Sequence, residues 1–152
     1  FYLAAQLDQL GRRAAARRHL RRALALDPHH SEAMNYLGYL DTEEGEDLEG
    51  AKALIERALV LDPENGAYLD SLGWVYFKMG RVEEALQYLI RAVERLTTDP
   101  VIFDHLGEVY FTSRDLERAH RAWQRALELD ASQTLIREKL DRPLPALMGI
   151  SP

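Results

Sequence analysis

The segment GAYLDSLGWVYFKMGRVEEALQYLIRAVE, residues 66–94, decides the fold, because its key residues recur along the whole chain. Gly73, which follows a Leu, has counterparts at Gly38 and Gly107, at steps of 35 and 34 residues. Two alanine columns and one large apolar column keep almost the same steps: Ala16, Ala51, Ala85 and Ala119; Ala23, Ala58, Ala92 and Ala126; and Leu20, Ile55, Leu89 and Trp123. Columns that stay in register over this length indicate an internal repeat of about 34 residues.

Within the segment, apolar residues recur at spacings of three and four, which places them on one face of a helix. Gly or Ala at a crossing lets two helix backbones approach closely, while a Leu or Trp fills the adjoining space. The Asp-Pro pairs at 27–28 and 62–63 end the second helix of a pair. The predicted helix pairs are 1–10 and 13–26, 31–43 and 48–61, 66–78 and 82–96, and 100–112 and 116–129, followed by a short helix at 133–141.

This pattern resembles the tetratricopeptide repeat family, whose unit is a helix-turn-helix of 34 residues. The resemblance covers residues 1 to about 140 and includes the junctions ALALDPHH, ALVLDPEN and ALELDASQ. It implies an all-α fold, a right-handed α-solenoid of about four repeats with a truncated first repeat and a C-terminal capping helix. The predicted organisation is a single array, 1–140, with repeats 1–30, 31–65, 66–99 and 100–133, a cap at 133–141, and a flexible tail at 142–152.

Three residues depart from the family pattern. Thr97 and Ala131 stand where a junction Pro is expected, and Arg114 stands where the other turns have Gly. Arg137 occupies a position equivalent to core residues of earlier repeats, as expected of a cap with a polar outer face. Because the chain starts at Phe1 and the first repeat lacks its opening residues, we expect a fragment or processed product.

In the resembling family, the first helix of each pair lines the concave side of the solenoid. The residues of segment 69–80 that lie off its core face should therefore face a groove, and the same columns recur in the neighbouring repeats. The predicted peptide-binding residues are Asn35, Tyr39, Asp70, Trp74, Phe77, Lys78, Asp104, Glu108 and Phe111. Aromatic area and carboxylates together predict a partner protein or peptide with basic and apolar residues. The alternative is a solvated face whose aromatics pack on neighbouring helices.

One subtype of the family is excluded by these columns. Members that bind the acidic tails of chaperones use Lys, Arg and Asn there to clamp carboxylates. Here the columns hold Asp70, Trp74, Asp104 and Glu108, which would repel such a tail.

The charge distribution suggests a second hypothesis, that of a structural array that self-associates. The formal net charge is −6, yet residues 1–30 hold six Arg against Asp8 and Asp27. A basic first repeat and an acidic remainder could attract each other between copies in a head-to-tail contact. The acidic remainder makes nucleic acid an unfavourable partner.

The motifs of common enzymes are missing from the sequence, and we expect no catalysis, cofactor or metal. The chain has no Cys, no GxxxxGK[ST] loop and no HExxH motif. His29, His30 and Glu32 lie at an exposed junction without a further ligand, and residues 41–50 lack the Gly and Glu positions of an EF-hand loop. His105 follows Asp104 on a helix, where neighbouring side chains point apart.

The compartment stays open. No apolar run approaches the roughly 20 residues of a membrane span, so we expect no direct membrane insertion. Residues 66–94 are similar to repeats of bacterial envelope proteins, which suggests the cell envelope or periplasm and leaves the cytoplasm as the alternative.

Overall fold

The computed structural model describes residues 1–141, and all regular structure within them is helical. The helices are α1 (Tyr2–Gln9), α2 (Arg13–Leu26), α3 (Ser31–Glu44), α4 (Leu48–Leu61), α5 (Gly66–Lys78), α6 (Val82–Arg95), α7 (Pro100–Thr112), α8 (Leu116–Leu129) and α9 (Thr134–Asp141). The helix bounds predicted from sequence agree with these to within one residue at each end. The predicted tail, 142–152, lies outside the described residues.

Side chains at the helix starts explain why the elements begin where they do. The Asn65 side-chain oxygen accepts from the backbone N–H groups of Ala67 and Tyr68, at 3.1 and 3.3 Å. Asp99 caps α7 in the same way, and Pro100 follows it in the first turn, where the missing N–H is of no consequence. Such caps satisfy backbone donors that have no partner inside the helix.

The turn inside each helix pair has one left-handed residue. Gly11, Gly45 and Gly80 have φ values of 70, 73 and 77°, and Arg114 takes the same place in the last pair with a φ of 62°. Non-glycine residues are uncommon in this region because the side chain crowds the backbone. The stacking of the flanking helices therefore imposes the turn geometry even where the sequence does not favour it.

The core of each pair is built where a glycine faces a large side chain. Gly38 lies under Ile55, Gly73 under Leu89, and Gly107 under Trp123. These three large side chains are at most 3% exposed. The repeating columns of the sequence thus mark the points of closest approach between the two helices of a pair.

Successive pairs stack into an α-solenoid. The second helix of one pair packs against the first helix of the next, as α4 does on α5 and α6 on α7. The first helices also contact each other directly, α3 with α5 and α5 with α7, so they line the inner curve. Ile136 of α9 is buried on the last pair, while Arg137 is exposed, as predicted for a cap.

The membrane-span criterion gives a clear result for residues 1–141. No helix in this part of the chain is both long enough and apolar enough to cross a bilayer.

Replacing Gly107 by Ala tests the closest of these approaches. A Cβ at this position would lie 2.3 Å from Trp123 Nε1 and 2.5 Å from its Cδ1, and an indole ring has little freedom to move aside. We expect a loss of about 1–3 kcal/mol in the free energy of unfolding from overpacking, measured by urea unfolding. Helix propensity alone favours Ala over Gly by about 1 kcal/mol, so an unchanged or increased stability would contradict the proposed packing.

Candidate functional site

The inner face of the solenoid is formed by one side of each of α3, α5 and α7. Because these helices follow one another at a step of about 34 residues, equivalent positions line up across the face. We use the term inner face for the side chains of Asn35, Tyr39, Glu43, Asp70, Trp74, Phe77, Lys78, Asp104, Glu108 and Phe111.

At the centre of the inner face, Asp70 of α5 and His105 of α7 form a buried pair. His105 Nδ1 lies 2.9 and 3.1 Å from the two carboxylate oxygens of Asp70. Since a carboxylate can only accept, the imidazole donates this proton. The two side chains are 8% and 9% exposed, so the pair joins the third repeat to the fourth with little access to water.

Two opposing effects set the protonation of His105. Burial lowers the pKa of its imidazole, but the charge of Asp70 and its hydrogen bond raise it, and Asp104 and Glu43 add to the raising effect. The net result is a raised pKa. His105 is therefore held as a cation to higher pH than an exposed histidine.

The indole of Trp74 connects this pair to the second repeat. Its ring stacks on His105, with centroids 4.0 Å apart and an interplanar angle of 15°. Its Nε1 donates to Glu43 Oε1 at 2.7 Å. Phe77 lies 5.2 Å from the indole between ring centroids, and the Lys78 ammonium lies 5.0 Å from its ring. Trp74 thus has a stacking, hydrogen-bonding or cation–π partner on each of three first helices.

Tyr39 borders the same cluster on the side of α3. Its ring centroid is 6.4 Å from that of His105. Burial, followed by the charges of Glu43 and Asp70, raises the pKa of its phenol to about 12. The hydroxyl consequently stays protonated at neutral pH and can donate a hydrogen bond.

The capping helix supplies a cation to the other end of the inner face. Lys139 of α9 donates to Asp104 Oδ1 at 2.8 Å and also contacts Glu108. Burial lowers the pKa of Lys139, but these two carboxylates raise it by more, so the net shift is upward. Both carboxylates of α7 are therefore neutralised from within the chain.

The structure places the predicted site residues at three depths. Asp70 and Trp74 are buried, at 6% and 8% exposure. Lys78 is exposed, and the remaining predicted residues are half-buried: Asn35, Tyr39, Phe77, Asp104, Glu108 and Phe111.

The expectation that Asp70 and Trp74 would stand open in a groove is wrong. Helix α5 has a first helix on either side, so the His105 ring from α7 and the Glu43 side chain from α3 meet over its inner surface. Half-buried side chains flank this central cluster. The binding role of all nine predicted residues stays a prediction.

Sequence reasoning missed three contributors, namely Glu43, His105 and Lys139. His105 was correctly kept apart from Asp104, but its partner Asp70, 35 residues away, was not found. The available signal was the repeat register, since His105 takes the position of Ser71 in α5 and Tyr36 in α3. A titratable side chain in a column of neutral ones was the feature to follow.

The N-terminal arginines are partly engaged inside the chain. Arg17 Nε lies 2.5 Å from Asp41 Oδ1, and Arg21 lies 3.6 Å from the same oxygen. Nearby, Thr42 is buried and its hydroxyl donates to the Gly38 carbonyl at 2.8 Å. These contacts show how α3 accommodates the polar residues that end it.

His30 has a structural task in the described part of the chain. Its Nδ1 accepts from the backbone N–H of Ala33 at 3.3 Å and so caps α3. Within residues 1–141 no group of three or more His, Asp or Glu side chains is arranged as a metal site.

Family models match the chain in two places. Both models are described as tetratricopeptide repeat, and they match residues 3–46 and 66–97. The comparison with curated proteins finds no match.

Solved structures share the fold over nearly the whole chain. A crystal structure of MamA is 19% identical with a TM-score of 0.72, over 97% of this chain and 85% of that chain. A chain of the Cut9–Hcn1 hetero-tetramer of the APC/C is 22% identical with a TM-score of 0.80, over 93% of this chain and 28% of that one. The pilF protein of Pseudomonas aeruginosa is 26% identical with a TM-score of 0.76, over 97% and 65% respectively.

Replacing His105 by Gln tests the buried pair through its pH dependence. A group whose pKa is higher in the folded than in the unfolded chain stabilises the fold fully below its unfolded pKa, about 6.5 for His, and loses this effect as the pH rises through its folded pKa. We therefore expect the variant to lose more unfolding free energy at about pH 5.5 than at about pH 9, measured by urea unfolding. His19→Gln, at an exposed site on α2, is the control for loss of an imidazole. An equal loss for His105→Gln at both pH values would contradict the charged pair.

Proposed function

The chain belongs to the tetratricopeptide repeat family, and we propose that it is a protein–protein interaction scaffold that holds a segment of a partner along its inner face. The repeat fold is in general a non-catalytic interaction module. The further steps concern which part of the inner face meets the partner, and what chemistry that partner has.

The observation that carries the proposal is a series of half-buried aromatic rings along the inner face. Tyr39, Phe77 and Phe111 come from three successive first helices and each leaves part of its ring accessible. Aromatic rings give a large contact area for few rotatable bonds, which is why they dominate binding energy at protein interfaces. A partner segment lying across the three helices could contact all of them.

The central cluster supports these rings from below. Trp74 is fixed by its stacking on His105 and by its hydrogen bond to Glu43, and Phe77 packs against its indole. Side chains that are already ordered lose little conformational entropy when a ligand arrives. Asp70 and Trp74 therefore serve as the support of the binding surface, and the accessible rings serve as its contacts.

Lys139 supports a basic partner, because it shows what the carboxylates of this face accept. Its ammonium lies between Asp104 and Glu108, with 27% of the side chain exposed. A Lys or Arg of a partner that approaches the same carboxylates meets an arrangement already suited to a cation. Glu43 adds a further carboxylate on α3, beside Trp74.

The Asp70–His105 pair supports structure rather than chemistry. A His and a carboxylate at hydrogen-bond distance also occur in catalytic sites, where the base must reach its substrate. Both residues are 6% exposed here, and the Trp74 ring covers one face of the imidazole. We assign the pair to holding α5 against α7.

Self-association through the basic first repeat is the weaker candidate. Arg17 and Arg21 already pair with Asp41 inside the chain, and Arg13 pairs with Asp8 at 3.3 Å. A charge that is satisfied within one copy contributes less to attracting another copy.

A displayed library of random peptides tests the proposed function. We expect selected peptides to combine Lys or Arg with Leu, Phe or other large apolar residues. Replacing both Phe77 and Phe111 by Ala should lower the affinity of a selected peptide by about tenfold or more, because each removes accessible aromatic area. Affinity is measured by fluorescence anisotropy on synthetic copies of the peptides.

The matched control replaces exposed apolar residues on the second helices. Leu26 and Val60 are 81% and 78% exposed, and the variant with both replaced by Ala should bind like the wild type. Thermal unfolding of each variant confirms that it is folded at the assay temperature. Equal weakening in both variants, or none in the Phe77 and Phe111 variant, would refute binding along the inner face.

A further inference from the structure

Helices α6 and α8 differ at one position that packs against the first helix of their own pair. Tyr88 of α6 and Ala122 of α8 are equivalent in the repeat, as are Tyr76 of α5 and Tyr110 of α7. In the third repeat the two tyrosines stack, with centroids 5.5 Å apart and an interplanar angle of 14°. In the fourth repeat the partner of Tyr110 is only a methyl group, so the place of one aromatic ring is left open.

A pocket of about 340 Å³ is present at that place. Its apolar floor consists of Phe103, Leu106, Tyr110 and Ala122, and its rim consists of Arg118, Arg121 and Arg125. A volume of this size falls within the range of small-ligand sites and is ample for one aromatic side chain.

The pocket is separate from the inner face. On α7 the floor residues Phe103, Leu106 and Tyr110 follow spacings of three and four, which is one side of the helix. Asp104 and Glu108 of the inner face lie on another side of it. The two surfaces can therefore be occupied at the same time.

The rim of the pocket is entirely basic. Arg118, Arg121 and Arg125 are spaced by three and four residues, so they lie along one side of α8. The Arg118 guanidinium lies 4.7 Å from the Tyr110 ring centroid, and that of Arg125 lies 6.0 Å from the Phe103 centroid. Both stay close to the aromatic floor.

Each rim arginine has an acidic neighbour on its own helix, outside the pocket. Arg118 binds Asp115 at 2.5 Å and Arg125 binds Glu128 at 2.9 Å. Arg121 lies 3.5 Å from Glu117 in a pair that is 64% and 82% exposed, so it is the rim residue most available to a partner. None of the residues that line the pocket carries a carboxylate.

We propose that this pocket binds an aromatic side chain of a partner protein segment that has carboxylates next to the ring. The third repeat shows the fit, since Tyr88 fills the equivalent place from within the chain. The arginines supply the complementary charge, and a guanidinium pairs with a carboxylate through two parallel hydrogen bonds. This partner is opposite in charge to the one proposed for the inner face, so the scaffold would hold two different segments.

Three synthetic peptides test the proposal on the isotope-labelled chain by NMR titration: acetyl-EEYEE-amide, acetyl-EEAEE-amide and acetyl-KKYKK-amide. We expect EEYEE to shift amide signals of α7 and α8 saturably, and the other two peptides to bind at least about fivefold more weakly. Equal affinity of EEYEE and EEAEE, or no binding of EEYEE, would overturn the proposal.

Two variants locate the site. Ala122→Tyr places in the pocket the side chain that the third repeat has there, and it should abolish binding of EEYEE. Arg121→Glu, at an exposed position, tests the rim without filling the pocket and should weaken binding at least about fivefold. Arg22→Glu on exposed α2 is the matched control and should bind like the wild type. Full binding by either Arg121→Glu or a folded Ala122→Tyr would overturn the assignment.

Discussion

Close approach of two helices, at a glycine that faces one large side chain, is the constraint on which the rest of the structure depends. At Gly38, Gly73 and Gly107 an added Cβ would meet Ile55, Leu89 or Trp123 within 2.7 Å. This contact sets the distance between the helices of a pair, and its repetition sets the step from pair to pair. Because one side of each first helix is used for this packing, another side is left to form the inner face.

The inner face serves two purposes at once. Its charged and aromatic side chains join neighbouring repeats, as Asp70 does with His105 and Glu43 with Trp74. The rings around this cluster remain accessible, and the cluster fixes their positions. A surface organised in this way resists both loss of its buried polar groups and movement of its contacts, since a buried charge left without its partner is strongly destabilising.

Much of the fold could be predicted from the sequence because a repeat averages the signal over several copies. Glycine and alanine columns predicted the helices closely, and even the turn at Arg114 followed the pattern of Gly11, Gly45 and Gly80. The burial of Trp74 could not be predicted, because the periodicity gives the direction of a side chain but not the distance to the next helix. The position of Lys139 was missed for a related reason, since α9 is too short and polar to show which carboxylates it would reach. The pocket beside Ala122 was visible in the sequence, as the small member of a column that holds Leu54 and Tyr88.

The central claim is that the first helices form the surface that holds a partner segment. A crystal structure of the chain with a peptide selected for binding tests this most directly. The account predicts a peptide that lies across α3, α5 and α7, in contact with Tyr39, Phe77 and Phe111, with a basic side chain at Asp104 or Glu108. A peptide bound along α4, α6 and α8 instead would contradict it.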